Sequence, residues 1–186
     1  MGAVVSLCEG SARVKTILLF RHAKSDRDDP ALKDHDRPLN DRGREAAPKM
    51  ATYIKAGEYR PDLVLCSTAR RTVETFDLAK GALDEAKVKF EEGLYLAESR
   101  QLIERLRWLE DDVEAVMIIG HNPGLEQLAH ALAASPKRER EEKLHRRMRE
   151  KFSTAALAVI TLPVKAWRDV KPGTGKLVDF MRPKDL

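Results

Sequence analysis

Six short apolar runs are separated by longer stretches in which apolar residues recur at helical spacing. The runs, rich in aliphatic and β-branched residues, cover 16–20, 62–66, 88–90, 114–119, 155–162 and 176–181. The run at 16–20 shows no polar alternation, which is typical of a strand covered on both faces. Strands that alternate with helices predict an α/β fold, a three-layer sandwich with a mostly parallel central sheet and helices on both faces.

Helices are predicted to begin around four positions: 41, 69, 99 and 123. Asn40 or Asp41 can cap the first helix, which should end at Gly57 and show a kink or a late start at Pro48. The polar pair at 67–68 can cap the second helix. A further helix is predicted to begin at residue 123, with the preceding asparagine as its cap.

Several polar residues away from the strand ends have structural interpretations. His130 is expected to be a packing residue, the alternative being a ligand of a second site. The segment 137–151 mixes glutamates with lysines and arginines at helical offsets, which predicts a solvated helix that includes His145, or alternatively an interaction surface. The polar segment 23–38 is predicted to be a loop that is either solvated or on the rim of a site. The loop residues in question are His35, Asp36 and Arg37.

The composition is that of a globular protein, with 42% hydrophobic and 34% charged residues among 186. We expect one domain at 15–186, preceded by an N-terminal extension at 1–14. The net charge of +4 favours an anionic ligand or an acidic partner but is too small to indicate nucleic acid. Two cysteines are too few for a disulfide framework, and no apolar run approaches the roughly 20 residues that span a bilayer. We therefore expect a cytoplasmic protein that binds neither nucleic acid nor membrane.

Polar residues that can carry chemistry follow three of the predicted strands. Arg21 and His22 end the first strand, the segment 67–71 ends the second, and His121 follows the fourth. Because the carboxyl ends of parallel strands meet at one edge of a sheet, these side chains should converge there. Arginines can bind a phosphoryl group through paired hydrogen bonds, and a neutral imidazole can attack its phosphorus. Subsequent attack by water would make a phosphatase, whereas attack by a sugar hydroxyl would make a mutase.

The motifs at these positions resemble those of the histidine phosphatase (phosphoglycerate mutase-like) superfamily, and most closely its SixA-type phosphohistidine phosphatases. The similar segments are LFRHAKSD at 19–26, DRPL at 36–39, RG at 42–43, STARRTVET at 67–75, GHNP at 120–123, FSTAA at 152–156 and RPKDL at 182–186. Most members of the superfamily have glycine where this chain has Ala23. The register of the 67–75 motif selects Arg71, and not Arg70, as the phosphate-binding arginine.

The resemblance implies specific roles for five residues. His22 would be the nucleophile and His121 the second catalytic histidine. Arg21 and Arg71 would bind phosphate, and Ser25 matches a polar position of the first motif. Larger superfamily members carry a carboxylate general acid after the third strand, whereas the segment 91–98 is short here and offers none clearly, Glu98 being the first to test.

The resemblance also implies a phosphatase that works through a phosphohistidine intermediate and needs neither a metal nor another cofactor. Its substrate would be phosphohistidine on a protein, such as a phosphocarrier or a phosphotransfer domain, because this leaving group departs readily without an acid. Two alternatives stay open: a phosphatase of small phosphoesters on the same scaffold, and a non-catalytic module that binds phosphorylated molecules.

Overall fold

A six-stranded mixed sheet forms the centre of the protein in the computed structural model, which describes residues 14–83 and 85–186. The strands are β1 (Lys15–Arg21), β2 (Leu63–Ser67), β3 (Lys87–Glu91), β4 (Ala115–Gly120), β5 (Leu157–Leu162) and β6 (Lys176–Met181). Their order is β3-β2-β4-β1-β5-β6. Neighbours are parallel from β3 to β1, and only β5 runs against the others. This confirms the predicted mostly parallel sheet.

In the described part of the chain, five α-helices cover the two faces of the sheet. They are α1 (Asp41–Ala56), α2 (Arg70–Ala79), α3 (Ser99–Arg107), α4 (Gly124–Leu132) and α5 (Glu139–Glu150). Alternate residues of β1 belong to different cores: Ile17 packs with residues of α3, α4 and α5, whereas Leu18 packs with residues of α1 and α2. A strand buried on both faces has no polar side to show, which explains the continuous apolar run at 16–20.

The expected N-terminal extension at 1–14 lies, apart from Val14, outside the described residues. Within the described part, no helix combines the length and the apolar character needed to cross a bilayer.

The first helix begins where the sequence predicts and is capped as predicted. The side chain of Asn40 accepts a hydrogen bond from the amide of Gly43. Pro48 lies inside a continuous helix, so the alternative of a late start is wrong.

The other two predicted caps are wrong, because neither helix start receives a side-chain cap hydrogen bond. The hydroxyl of Ser67 contacts His121, and that of Thr68 contacts His35, so neither caps α2, which follows Ala69. The helix α4 starts at Gly124, one residue later than predicted. The side-chain Nδ2 of Asn122 donates to the carboxylate of Glu126 and to the carbonyl oxygen of Phe152.

The environments of His130 and His145 are the reverse of those predicted from the sequence. His130 is exposed on α4, because the apolar residues around it turn toward the sheet and it does not. His145 is buried, because α5 packs along β6 and directs this side chain inward together with Met148. Burial lowers the pKa of His145 below its usual value. The segment 137–151 is therefore a helix with one buried side, and only its remaining faces are solvated.

Candidate active site

Three neighbouring strand ends open into one cavity of about 750 Å³. The strands β2, β4 and β1 are adjacent and parallel, and Arg21 at the end of β1 pairs with Gly120 at the end of β4. His22 and His121 therefore leave the sheet side by side, with ring centroids 5.1 Å apart. Arg71 in the first turn of α2 reaches the same cavity. The predicted convergence of the strand-end residues is thus observed.

The hydrogen bonds of His22 fix the position of its proton. Its Nδ1 lies 2.7 Å from the carbonyl oxygen of Ala23, which can only accept, so Nδ1 carries the hydrogen and Nε2 keeps its lone pair. Burial, reinforced by the charges of Arg71 and Arg21, lowers the pKa of His22 to about 3. At neutral pH the ring is an uncharged imidazole with a free Nε2.

The other histidine has the opposite arrangement at Nδ1. The Nη2 group of Arg71 donates to Nδ1 of His121 at 3.2 Å, since a guanidinium can only donate. The hydrogen of the neutral ring then sits on Nε2, which lies 2.8 Å from the hydroxyl of the fully buried Ser67. Burial, followed by the effects of His22 and Arg71, lowers the pKa of His121 to about 3 as well.

A carboxylate holds Arg71 in place. Nη1 of Arg71 donates to the carbonyl oxygen of Asp34 at 2.5 Å, and Nη2 donates to its carboxylate at 3.0 Å. The same carboxylate accepts from the hydroxyl of Tyr95 at 2.6 Å and pairs with Arg37 at 2.6 Å. The hydrogen bond from Tyr95, helped by the two arginine charges, lowers the pKa of Asp34 below its usual value. Asp34 is therefore an ionised anchor.

Arg21 and Ser25 also line the cavity. Nη1 of Arg21 donates to the carbonyl oxygen of Phe152 at 2.6 Å, which fixes the guanidinium at the end of β1. Ser25 is partly exposed, and its backbone forms a bridge with Leu39. Its side chain makes no hydrogen bond to another described residue.

Buried polar atoms without a partner are concentrated at this cavity. Four such side-chain atoms are found in the described part of the chain: Nε of Arg21, Nε of Arg37, Nε of Arg71 and Oδ1 of Asn122. All four residues line the cavity. Buried polar groups are almost always paired, so three unpaired N–H donors at one place are typical of an anion-binding site.

Sequence reasoning missed three residues that shape this site: Asp34, Tyr95 and Ser67 in its contact with His121. Asp34 stands three residues before Arg37, and that spacing of opposite charges was the one available signal. The loop 23–38 contains Asp34 and the three residues that the sequence singled out, and these three differ in their positions. Arg37 lines the cavity, His35 packs against the ring of Tyr95 with centroids 4.9 Å apart, and Asp36 is exposed.

The segment 91–98 brings no carboxylate into the cavity. Glu91 forms two hydrogen bonds with the guanidinium of Arg105, and Glu98 is exposed at the start of α3. The carboxylates that line the cavity are Asp26, Asp28 and Asp34. Cys66, next to the site in sequence, is fully buried, and burial raises the pKa of its thiol to about 12. It is an inert strand residue.

Comparisons with known proteins show which proteins the chain is similar to. The profile of the histidine phosphatase superfamily, branch 1, matches residues 17–98, which include the first two motifs. An uncharacterized protein of Mycobacterium tuberculosis is 37% identical over 165 residues, covering 89% of this chain and 100% of that protein.

Two solved structures extend the similarity to nearly the whole chain. A candidate SixA phosphohistidine phosphatase of Agrobacterium tumefaciens is 30% identical, with a TM-score of 0.75 over 91% of this chain and 98% of that one. A candidate SixA phosphohistidine phosphatase of Nakamurella multipartitia is 26% identical, with a TM-score of 0.78 over 91% of this chain and 96% of that one. The chain therefore belongs to the histidine phosphatase superfamily, and it is a phosphatase.

Proposed function

We propose that the protein removes the phosphoryl group from phosphohistidine on another protein, with His22 as the nucleophile. The observation that carries this proposal is the hydrogen bond from Nδ1 of His22 to the carbonyl oxygen of Ala23. It leaves the lone pair of Nε2 available in a cavity that Arg21 and Arg71 also line. A neutral, oriented imidazole beside two fixed guanidinium groups is suited to accept a phosphoryl group.

The reaction then takes two steps. Nε2 of His22 forms a bond to phosphorus while the bond between phosphorus and the substrate's imidazole nitrogen breaks. The electron pair of that bond stays on the leaving imidazole, which takes up a proton. Water next attacks the phosphorus, the bond to Nε2 breaks with its electron pair returning to the ring, and the water gives up a proton as inorganic phosphate leaves. Arg21, Arg71 and His121 would hold the phosphoryl oxygens throughout.

Among the described residues, no carboxylate of the segment 91–98 lines the cavity, and this supports phosphohistidine as the substrate. Asp34 has a lowered pKa and donates no proton at neutral pH, and Glu91 is paired with Arg105. An imidazole leaving group needs less protonation than an alkoxide. A phosphatase of small phosphoesters is the second candidate, because Asp26 and Asp28 line the cavity without an ion pair to any described residue. Either of these could serve as an acid for such a substrate.

A comparison of substrates tests the proposal. We expect kcat/KM to be higher for a phosphohistidine protein or for p-nitrophenyl phosphate than for a sugar phosphate, by about 10²–10⁴-fold, the usual contribution of a general acid. Equal efficiency on the sugar phosphate would contradict the proposal. In that case, substitution of Asp26 and Asp28 by asparagine would identify the acid.

The nucleophile and the arginine register are tested by three variants. His22→Ala should abolish turnover and acid-labile labelling of the enzyme, because no other group can form the intermediate. Arg71→Ala should lower kcat/KM by about 10²–10³-fold, as does removal of one oxyanion donor elsewhere. Arg70→Ala is the matched control, since Arg70 is exposed and paired with Glu74. Similar losses in the two arginine variants would show that the register is wrong.

We further propose that the reaction requires no metal, because arginines supply the positive charge. Full activity should persist after exhaustive chelation. Loss of activity that a divalent cation restores would refute this part of the proposal.

A further inference from the structure

We propose that the rim of the cavity is a docking surface for an acidic protein segment next to the phosphohistidine. This surface, the docking rim, consists of Lys24, Arg27, Lys151 and Leu96, all of which line the cavity. The proposal rests on the proposed function and adds to it the chemistry of the protein that carries the phosphoryl group.

The cavity carries more positive charge than one phosphoryl group needs. Its lining contains six cationic side chains and three carboxylates. Arg37 and Arg71 already pair with Asp34, and a phosphoryl dianion would engage Arg21 and Arg71. The three cations of the docking rim are exposed and form no ion pair with any residue in the described ranges. They remain available to a second group of negative charges on the substrate.

The charged helix α5 does not offer the same opportunity. Lys143 pairs with Glu139 and Arg149 pairs with Glu142, both on α5 itself. Lys151, directly after the end of α5, is the residue of this segment that lines the cavity. The part of the charged segment that faces the cavity is therefore its last residue.

An exposed leucine beside the cations indicates a protein and not a small phosphorylated molecule. Leu96 is 50% exposed at the cavity, between the buried residues Leu94 and Ala97. Its φ of 51° lies in the left-handed region, which costs free energy for a residue with a branched side chain. Such strain persists where neighbouring contacts impose it and is concentrated at functional sites. A small polar phosphoester has no surface to cover this leucine, whereas a protein segment does.

Cations and one apolar side chain around an open cavity therefore fit an acidic segment with an apolar residue of its own. Complementary charge of this kind speeds association and selects partners. It should also weaken at high salt, because the docking rim is exposed.

Two synthetic peptides test the docking rim. Both carry one phosphohistidine and have the same length, and one has four glutamates around the phosphohistidine where the other has glutamines. For the wild-type enzyme at low salt, we expect kcat/KM to be about tenfold higher on the glutamate peptide, mainly through a lower KM. The preference should shrink as salt is added.

The variant K24E/R27E/K151E should lose this preference and should keep activity on p-nitrophenyl phosphate within about threefold of wild type. The control K49E/K80E/K165E makes the same change in net charge at exposed lysines outside the cavity lining and should keep the preference. Leu96→Asn introduces a residue that tolerates the left-handed backbone. This variant should have a lower kcat/KM on the glutamate peptide and an unchanged rate on the aryl phosphate.

The two proposals fail in different ways. Cleavage of the aryl phosphate but of neither peptide by the wild-type enzyme would refute the proposed function and the docking rim with it. Cleavage of both peptides with no preference for glutamate, or a preference that survives in K24E/R27E/K151E, would refute the docking rim alone. Equal losses on the peptide and on p-nitrophenyl phosphate would also refute it, because the cations would then serve the phosphoryl group itself.

Discussion

Two imidazoles share one buried site but carry their protons on different nitrogens. His22 holds a hydrogen on Nδ1 because a carbonyl oxygen faces it, whereas His121 has a bare Nδ1 because Arg71 donates to it. Backbone and guanidinium groups have fixed hydrogen-bonding roles, so they determine the tautomer of each ring. This difference fits the roles that we propose, with His22 as nucleophile and His121 as hydrogen-bond partner of the phosphoryl oxygens.

The hydroxyl of Ser67 is the hydrogen-bond partner of His121 at Nε2, and the role that we propose for His121 depends on it. When a phosphoryl group engages Arg71, Nδ1 of His121 can present a hydrogen to an oxygen in two forms of the ring. In the neutral form Nε2 is bare and accepts a hydrogen bond, and in the protonated form Nε2 keeps its own hydrogen and donates it. A hydroxyl can accept from or donate to Nε2, so it supports both forms of the ring. Ser67 lies 2.8 Å from Nε2 and is fully buried, so no water replaces it easily.

We therefore predict that Ser67→Ala lowers kcat by about 10–100-fold, as expected for a buried N–H left without a partner at about 1–3 kcal/mol. KM should change little. Thr68→Ala is the matched control, because its hydroxyl lies one residue away and contacts His35. Steady-state kinetics across pH 5–9 measures both variants. A wild-type kcat and pH profile in Ser67→Ala would exclude a positioning role for this hydroxyl.

At this scale the sequence predicts the residues that belong to contiguous motifs. His22, Arg21, His121 and Arg71 each follow a strand end, and the structure brings them together. Asp34 could not be placed in the same way, because its position depends on how the loop 23–38 folds back over α2. Contacts between residues that lie far apart in the sequence, such as that of Asp34 with Tyr95, leave no periodic pattern from which they could be predicted.

At the scale of elements, the start of α1 supports the loop that carries the first motif. The carbonyl oxygen of Lys24 accepts the amide of Asn40, the residue that caps α1. Gly43 in the first turn lies so close that an added Cβ would be 2.2 Å from this oxygen. The glycine of the RG motif is thus required by the close approach of two backbones.

Gly43→Ala should consequently disturb both stability and activity. The methyl group must displace Lys24 and with it the backbone after His22. We expect a loss of about 1–3 kcal/mol in the free energy of unfolding, as for overpacking in a well-packed region, and at least a tenfold loss in kcat/KM. Gly81→Ala is the control, since an added Cβ there meets no atom within 4 Å in the described structure. Urea denaturation and kinetics on p-nitrophenyl phosphate measure the two effects, and parallel behaviour of both variants would contradict this account.

Element boundaries were predictable where local signals act alone. The Asn40 cap of α1 is such a case. The cap at Asn122 failed although its Oδ1, the atom that would accept the cap hydrogen bond, has no partner in the described residues. The side chain is instead held by its Nδ2, which donates to Glu126 and to the carbonyl oxygen of Phe152. The burial of His145 could not be predicted either, since the charges around it indicate a solvated helix and only the packing of α5 along β6 covers it.

At the scale of the whole molecule, the site makes the folded state sensitive to acid. The folded protein holds His22 and His121 uncharged, with pKa values of about 3. In the unfolded chain each would have a pKa of about 6.5. As pH falls below that value, the unfolded chain takes up protons that the folded protein does not, so stability decreases with falling pH until about 3. The lowered pKa of Asp34 adds to the loss only in more acidic solution, where carboxylates protonate.

We accordingly predict that the free energy of unfolding falls between pH 7 and pH 5 by about 2 kcal/mol for each of these two histidines. Urea denaturation at the two pH values measures the difference. His22→Asn should reduce it by about half of the two-histidine total, and H22N/H121N should remove most of it. His130→Asn is the control, because His130 is exposed. The same burial keeps Nε2 of His22, the proposed nucleophile, unprotonated. A double variant that resists acid and has lost activity would therefore support a common origin of acid sensitivity and catalysis in these two histidines. An undiminished fall in H22N/H121N would assign it to other groups, with the buried His145 the first to examine.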